Sequence, residues 1–308
     1  MSHLFCFGFG FTARRLASKL SAAGWAISAT ARTAEKHAAL IAESIDCQLF
    51  DGTAPLADLN PLQNATHILL SAPPGEAGEP VLNLHLDDLA VMQSLQWIGY
   101  LSATSVYGDT DGRLVDENAP LRATTARGLR RIESEEAWLN CVSTIGLPVH
   151  VFRLAGIYGP GRSAIDQLRS GRARRIIKPG HLFSRIHVDD IVTVLEASIG
   201  RVRPGSIYNV CDDEAAMSSD VIEYAAELLS VEPPPAMPFD GAGLSEMARS
   251  FYADNRRIDN QLIKSALGVT LAYPDYRAGL EAILAESAAS QSAGPEANLS
   301  TAANIFAR

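Results

Sequence analysis

Cysteine is scarce in this sequence, and no two cysteines lie close together. The four cysteines, Cys6, Cys47, Cys141 and Cys211, are far apart along the chain. Without a CxxC pair, neither a structural zinc site nor a disulfide framework is indicated. We expect all four to be small buried residues of a protein that folds in a reducing cytosol.

The sequence also lacks an excess of basic charge and any long apolar run. The chain has 26 Lys and Arg against 35 Asp and Glu, for a net charge of -9. Because a nucleic-acid-binding surface needs a basic excess, nucleic acid is not expected as a partner. The N-terminal stretch HLFCFGFG has neither a basic leader nor a cleavage site, and no apolar run approaches membrane-spanning length. We therefore expect a soluble, cytoplasmic protein that does not contact membranes.

What the chain does contain is a repeated alternation of two patterns. Short apolar runs such as LFCF alternate with longer helical patterns over residues 12–22, 34–43, 81–97 and 126–142. Strands that are apolar on both faces, each followed by a helix, are typical of a parallel sheet covered by helices on both sides. The alternation predicts a doubly wound parallel α/β fold of the Rossmann type.

The pattern loosens after residue 160, where Gly and Pro become frequent, as in YGPGR and EPPPAMP. This change predicts a dinucleotide-binding domain over 1–160, joined again by 186–211. A smaller, partly interleaved substrate-binding lobe is predicted over 161–285. The Ala/Ser-rich segment 286–308 is predicted to be a tail.

A glycine loop directly follows the first apolar run. Gly8 and Gly10 precede a helical pattern, and Ala13 stands where a third glycine is often found. The glycines permit a tight turn and close approach of the backbone, so that the unpaired N–H groups of the helix N-terminus can hold a pyrophosphate. Gly8, Gly10, Thr12 and Ala13 are therefore predicted to bind a dinucleotide.

The end of the second strand determines which nicotinamide cofactor is expected. NAD sites place an acid there against the ribose 2′-hydroxyl, but this chain has Thr30, Arg32 and Thr33 instead. A guanidinium can pair with a 2′-phosphate, which an acid would repel. The segment favours NADP over NAD; the alternative is a solvated arginine.

Residues that follow the third and fourth strands are also assigned to the cofactor site, on the weaker ground of their position in the predicted sheet. Asp51 follows the third strand and is placed to reach the adenine amino group. Ser71, Ala72 and Pro73 follow the fourth strand and would lie along the cofactor.

Several further motifs occur in a characteristic order. They are LSATSVYGD (101–109), VDENAPL (115–121), FRLAGIYGPGR (152–162), RIHVDDI (185–191) and YNVCDDE (208–214). With them the chain resembles the extended short-chain dehydrogenase/reductase family, in particular its atypical NAD-dependent epimerase/dehydratase branch, from residue 1 to about 285. The resemblance implies a Rossmann domain, a small-molecule substrate, and a possible homodimer through the helices over 81–97 and 124–142.

The acid–base residues of that family are replaced here. The family uses a Tyr with a Lys four residues later on one helix, and a Ser or Thr from the fifth strand, to exchange a proton with the substrate. In register, these positions are Arg127, Arg131 and Ala103. A shifted alignment cannot supply them, because there is no Tyr between residues 107 and 158 and no Lys between residues 36 and 178.

Two arginines at these positions indicate a different chemistry. A guanidinium stays protonated and has no proton to exchange. Arg127 and Arg131, one helical turn apart, could instead bind a carboxylate or phosphate, or stabilise an oxyanion. The alternative is a solvated helix face on which Arg131 forms an i, i+4 pair with Glu135, worth about 0.3–0.5 kcal/mol.

Other side chains are candidates for the remaining roles. Ser102 and Thr104 flank Ala103, so that Ser102 is assigned to cofactor contact and Thr104 to the missing hydroxyl. Tyr158 is the candidate replacement acid, with packing as the alternative reading.

The resemblance also suggests where substrate binds and what the protein does. Arg162 and Arg185 are candidate anion contacts. His187, near the hinge between the lobes, is also a candidate substrate-binding residue, although a structural role is favoured over a catalytic one. The expected function is that of an NADP-dependent oxidoreductase or epimerase/dehydratase-type enzyme acting on an anionic or sugar-nucleotide-like substrate. The alternative is a non-catalytic NADP(H)-binding sensor or partner-binding module.

Overall fold

The structure, a computed structural model, describes residues 1–241, 243–244, 249 and 251–292. The strands of the main sheet are β1 (His3–Phe7), β2 (Ala26–Ala31), β3 (Asp46–Leu49), β4 (His67–Leu70), β5 (Trp97–Ala103), β7 (Val149–Leu154) and β11 (Ile207–Val210). Six short strands form three two-stranded sheets. In these, β6 (Leu114–Val115) pairs with β13 (Arg257–Ile258), β8 (Gly156–Tyr158) with β10 (Arg185–His187), and β9 (Arg175–Ile177) with β12 (Ala236–Pro238).

Helices connect these strands. They are α1 (Phe11–Ala22), α2 (Ala34–Ala42), α3 (Asn60–Gln63), α4 (Pro80–Ala90), α5 (Ala126–Ile145), α6 (Ala164–Arg169), α7 (Val188–Gly200), α8 (Ser218–Leu229), α9 (Gln261–Leu267) and α10 (Tyr276–Ser292). Two 3-10 turns, Thr104–Tyr107 and Phe239–Gly241, interrupt the loops.

The seven-stranded sheet confirms the predicted fold class. Its order is β11-β7-β5-β4-β1-β2-β3, and every pairing is parallel. The direction of winding reverses between β1 and β4, so that a crevice opens at the carboxyl ends of these strands, where ligands bind in such sheets.

The core lies on both faces of this sheet. In β1, Leu4 and Cys6 pack against one helical layer, while Phe5 and Phe7 pack against the other, and all four are fully buried. Burial on both faces explains why the strands read as continuous apolar runs. Trp138 of α5 is enclosed in the second layer.

The second lobe is built from segments that follow β7. The helices α6, α8 and α10 enclose a separate apolar cluster around Ile165, Ala225 and Leu280. Between α6 and α8 the chain returns to the main sheet, where β11 pairs with β7 at the edge.

The cysteines lie where the sequence placed them. All four are free and buried. Within the described part of the chain, no helix is long and apolar enough to cross a membrane, and no group of His, Cys, Asp and Glu could hold a metal ion.

Two predicted boundaries were wrong. The helix predicted over 81–97 ends at Ala90, because the next residues turn so that the Gln96 N–H bonds to the Thr66 carbonyl and aligns β5 beside β4. The predicted tail begins too early, since α10 continues to Ser292. The remainder of that segment, 293–308, lies outside the described residues.

Candidate functional site

A cleft of about 880 Å³ lies between the carboxyl edge of the sheet and the second lobe. It is bordered by the first turn of α1, the ends of β5 and β7, and α5 on one side, and by β8, β10 and α8 on the other. The charged side chains that line it are the arginines Arg127, Arg131, Arg162, Arg185 and Arg256 and, among described residues, a single acid, Asp254. The cleft is thus strongly cationic in a chain whose net charge is -9.

The glycine loop has the geometry of a pyrophosphate cradle. Gly8 has φ +84°, and a Cβ at this position would lie 3.0 Å from the Ala72 nitrogen. Gly10 is the N-cap of α1 and provides no side-chain cap, so the first N–H groups of this helix remain available to an anion. Thr12 lines the cleft, and Ala13 is fully buried in the helix–sheet contact, which leaves no room for a larger residue. These residues fit the predicted dinucleotide.

The end of β2 supports the loop and presents one cation. The Thr30 hydroxyl accepts the Gly8 N–H at 2.8 Å, so it holds the glycine turn in place and is itself buried. Arg32 follows with an exposed side chain, and Thr33 caps α2 by accepting the Lys36 N–H. Arg32 is thus placed next to the N-terminus of α2, where a 2′-phosphate would be favoured.

The segments after β3 and β4 complete this side of the cleft. The Asp51 carboxylate accepts the Thr53 N–H at 2.9 Å and the Thr53 hydroxyl at 2.7 Å, and these hydrogen bonds lower the pKa of Asp51. The N–H groups of Ser71 and Ala72 both donate to the Phe7 carbonyl at 2.9 Å, so the peptide leading to Pro73 runs beside the glycine loop. The Ser71 side chain borders the cleft.

A glycine fixes the register of α5 against the sheet. A Cβ on Gly128 would lie 2.6 Å from the Ala123 Cβ and 3.2 Å from the Ser105 carbonyl oxygen, so only glycine allows the helix to lie this close to the turn after β5. This contact brings the first two turns of α5 to the cleft, with Arg127 and Arg131 both on its wall.

The two arginines are held differently. Arg131 is half-buried and its Nη1 donates to the Leu101 carbonyl at 3.0 Å, near the end of β5. Arg127 is exposed at the mouth of the cleft. Neither can serve as a proton donor in place of tyrosine, but together they offer several guanidinium N–H groups to an anion.

The alternative reading, in which Arg131 pairs with Glu135, was wrong. Glu135 is 1% exposed and pairs instead with Arg153 of β7, whose Nη2 lies 2.7 Å from its carboxylate. The Ser102 hydroxyl donates to the same carboxylate at 2.5 Å, and Arg153 also donates to the Tyr107 hydroxyl at 2.8 Å. Ser102 is therefore committed to this buried network, although it borders the cleft, and the predicted cofactor contact of its hydroxyl is not supported.

This network was missed, although the sequence carried a signal for it. Arg153 stands within the apolar strand segment VHVFRL, and a charged residue on a buried strand must have a buried partner. Glu135 could have been proposed as this partner, but the i, i+4 spacing suggested a pair with Arg131 on its own helix.

The remaining candidates for the hydroxyl and the acid both border the cleft. Thr104 begins the 3-10 turn after β5 and lines the cleft, but it is 8% exposed. Tyr158 borders the cleft and donates to the Asp275 carbonyl at 3.3 Å, and its ring packs directly against Gly279. Burial and the nearby Asp212 raise its pKa, and its contacts favour the packing role.

The contacts of His187 favour the structural role near the hinge over substrate binding. It lies outside the lining of the cleft and caps α7 by accepting the Asp189 N–H at 3.3 Å. Burial lowers its pKa to about 4, which keeps the ring neutral. Its role is to fix the start of α7.

The other arginines sit on the second-lobe side. Arg185 is partly buried and donates to the Phe183 and Ala216 carbonyls at 2.9 Å each, and burial lowers its pKa. Arg162 is exposed at the rim, with its guanidinium 5.8 Å from the Phe11 ring centroid. Sequence reasoning missed Arg256, which is paired with Asp254 at 2.6 Å.

Comparison with known proteins supports the fold. No model of a known protein family matches the chain. A structure of a conserved protein of unknown function from Silicibacter pomeroyi DSS is 49% identical, with a TM-score of 0.85, and covers 93% of this chain and 99% of its own. Protein YeeZ of Escherichia coli strain K12 is 29% identical over 280 residues, or 87% of this chain and 95% of YeeZ. The dTDP-glucose 4,6-dehydratase of Bacillus anthracis, solved with NAD, is 15% identical with a TM-score of 0.73, over 95% and 98% of the two chains.

The chain has a Rossmann fold with a glycine loop, and solved structures of epimerases and dehydratases share this fold. Within that architecture, the chain belongs to one family with the Silicibacter pomeroyi protein.

Proposed function

We propose that the protein binds NADP and acts as an oxidoreductase or epimerase/dehydratase-type enzyme on an anionic carbonyl or sugar-nucleotide-like substrate. The observation that carries this proposal is the position of the cationic cleft, which adjoins the glycine loop and is lined by Arg127, Arg131, Arg162 and Arg185. Such a surface binds carboxylates and phosphates and repels cations.

The chain's own residues have distinct tasks in this proposal. Gly8 and Gly10 would hold the pyrophosphate and Arg32 the 2′-phosphate, and a bound nicotinamide would supply hydride transfer. Arg131, fixed on the Leu101 carbonyl, orients the anionic group of the substrate or stabilises negative charge that develops beside it. The guanidinium remains charged throughout, so the proton for any oxygen that forms comes from water or from the substrate.

A second function is supported by one specific observation. In the register of the family that the sequence resembles, Ala103, Arg127 and Arg131 stand where a hydroxyl, a phenol and an ammonium group would be expected, and Tyr158 packs against Gly279. A protein that keeps the cofactor cradle without these groups could serve as a non-catalytic NADP(H)-binding sensor or partner-binding module.

One experiment separates the two functions. NADPH and NADH are titrated by fluorescence, and a panel of anionic carbonyl compounds is screened for NADPH oxidation. An enzyme binds and turns over, whereas a sensor binds without turnover. Absence of binding of either nucleotide would refute both.

The cofactor preference has its own test. Arg32→Glu is expected to reverse the preference between NADPH and NADH, because it replaces attraction of the 2′-phosphate by repulsion. Arg174→Glu, an exposed arginine outside the cleft, is the charge-matched control. An unchanged ratio in the Arg32 variant refutes the assignment to NADP.

We also propose a homodimer formed through α4 and α5. The large apolar side chains Leu129 and Ile145 of α5 are 46% and 44% exposed. Light scattering after size exclusion is expected to give twice the mass of the chain, and Leu129→Lys is expected to give monomers. A monomeric wild type refutes the proposal.

A further inference from the structure

The turn that follows β8 lies against the first residue of α1. A Cβ at Gly159 would lie 3.2 Å from the Phe11 Cζ and 2.7 Å from the Val188 Cγ1, so the glycine lets this turn approach both α1 and α7. Phe11 begins α1, directly after Gly10 of the glycine loop. The turn therefore lies beside the helix end at which a Rossmann fold places the pyrophosphate of its dinucleotide.

The backbone of this turn is fixed and carries the side chain of Arg162. The Arg162 N–H donates to the Gly159 carbonyl at 2.9 Å, and the Gly159 N–H donates to the Arg162 carbonyl at 3.2 Å. Gly161, between them, has φ +77°. The next residue, Ser163, caps α6 of the second lobe. The backbone of Arg162 is thus held in place, and its side chain is the part that can move toward a ligand.

The Arg162 guanidinium lies beside the start of α1. Its carbon is 5.8 Å from the centroid of the Phe11 ring, and both side chains line the cleft together with Thr12. An α-helix leaves its first four N–H groups without partners inside the helix, so the first turn of α1 presents N–H groups to an anion at this end. A phosphate that binds there is within reach of the exposed Arg162 side chain.

The arginines of α1 itself are engaged elsewhere. Arg14 forms an ion pair with Glu43. Arg15 forms one with Asp189. In the part of the chain that the structure describes, no carboxylate pairs with Arg162, and its neighbour is an aromatic ring. Because a guanidinium forms charge-assisted and bidentate hydrogen bonds with phosphate, Arg162 is suited to neutralise an anion at the start of α1.

We infer that Arg162 binds the pyrophosphate of the dinucleotide together with the glycine loop, so that the cofactor is held between the two lobes. The sequence predicts Arg162 as a substrate contact, whereas the contacts of this side chain in the fold lie at the cofactor end of the cleft. Arg127 and Arg131 of α5 remain the cations for the substrate. The inference rests on the proposed function for the presence of a dinucleotide.

The test is calorimetric titration of the full chain with NADPH, NADH and ADP-ribose. All three ligands carry the pyrophosphate, whereas ADP-ribose lacks the nicotinamide, and NADH and ADP-ribose lack the 2′-phosphate. Arg162→Gln is expected to weaken all three by a similar factor, roughly tenfold, since it removes charge-assisted hydrogen bonds to a group that they share. The ratio of the NADPH and NADH affinities is expected to stay that of the wild type.

Two variants serve as controls. Arg174→Gln removes the same charge from an exposed position outside the cleft and is expected to leave all three affinities unchanged. Arg162→Lys keeps the positive charge, so it is expected to bind NADPH more tightly than Arg162→Gln does. Thermal unfolding without nucleotide is expected to give the same midpoint for all variants and the wild type, because both arginines are exposed.

Three results overturn the inference. Unchanged affinities of Arg162→Gln for all three ligands return Arg162 to the substrate. A loss for NADPH alone places the contact at the 2′-phosphate. A loss for NADPH and NADH but not for ADP-ribose places the contact at the nicotinamide half of the cofactor.

These outcomes are separable from those of the proposed function. If Arg162→Gln loses affinity for ADP-ribose in a chain that neither prefers NADPH nor turns it over, the inference is retained and the proposed function is refuted. If Arg162→Gln binds like the wild type in a chain that binds and oxidises NADPH, the inference is refuted and the proposed function is retained. A wild type that binds none of the three ligands refutes both.

Discussion

His150 is fully buried in β7 and is held in a form that excludes a second proton. Its Nε2 accepts the Arg203 N–H at 2.8 Å, so this nitrogen must be unprotonated. Nδ1 therefore carries the hydrogen and donates to the Pro148 carbonyl at 3.1 Å. The ring also stacks on Trp97, with centroids 6.1 Å apart. Burial lowers the pKa of His150 to about 4 from 6.5.

This shift makes stability depend on pH in a defined direction. In the unfolded chain the ring gains a proton near pH 6.5, whereas in the folded protein it does so near pH 4. Stability is therefore unaffected above pH 6.5 and is lost as the pH falls from 6.5 towards 4. A difference of this size corresponds to about 3 kcal/mol, a large part of the 5–15 kcal/mol that stabilises an ordinary domain.

A neutral variant isolates this contribution. His150→Gln can still accept the Arg203 N–H but cannot be protonated, so its free energy of unfolding should decline less between pH 7 and pH 4 than that of the wild type, by up to about 3 kcal/mol. The measurement is urea denaturation at half-unit steps of pH. Burial raises the pKa values of Asp212 and Glu79 to about 8 and about 7, which acts in the opposite direction, but both groups are present in both proteins and cancel. Parallel curves for the two proteins would refute the reasoning.

Two further substitutions test the cradle and the buried network. Gly8→Ala is expected to weaken NADPH binding more than tenfold, because the added Cβ presses on the peptide after β4; Gly171→Ala, which also has a positive φ but open space around it, should leave the fluorescence titration unchanged. Equal affinities for the two variants would contradict the cradle. Ser102→Ala is expected to lower the free energy of unfolding by about 1.5–3 kcal/mol, since Glu135 loses a buried donor, whereas Ser105→Ala should change it by less than about 0.5 kcal/mol in the same denaturant titration. A neutral Ser102 variant would show that this bond is not needed.

Local patterns in the sequence predicted most of the fold. The alternation of apolar runs with helical patterns was sufficient for a parallel sheet, and the glycine loop predicted a tight turn, which Gly8 forms with φ +84°. Prediction failed at the end of α4, where apolar spacing continued past Ala90 into a turn. That boundary depends on the pairing of β5 with β4, a contact that local periodicity does not contain.

The site was less predictable, because its chemistry depends on contacts between distant residues. The family register placed Arg127 and Arg131 on the cleft wall, but the sequence paired Arg131 with Glu135 through helical spacing. The structure pairs Glu135 with Arg153, 18 residues away, on the neighbouring strand. Breaking the buried pair of Glu135 with Arg153 would cost several kcal/mol. A surface pair of Glu135 with Arg131, worth a few tenths of a kcal/mol, cannot compensate for that cost.

The same buried pair explains how the cleft can change chemistry while the fold is kept. Because Arg153 and Ser102 satisfy Glu135, the frame that joins α5 to the sheet does not depend on the side chain at position 131. Gly128 sets the approach of the helix independently of its neighbours. The side chains at positions 127 and 131 can therefore vary without loss of the scaffold. The side chains at these two positions are free to match the ligand. Two guanidinium groups that stay protonated favour a ligand that is negatively charged.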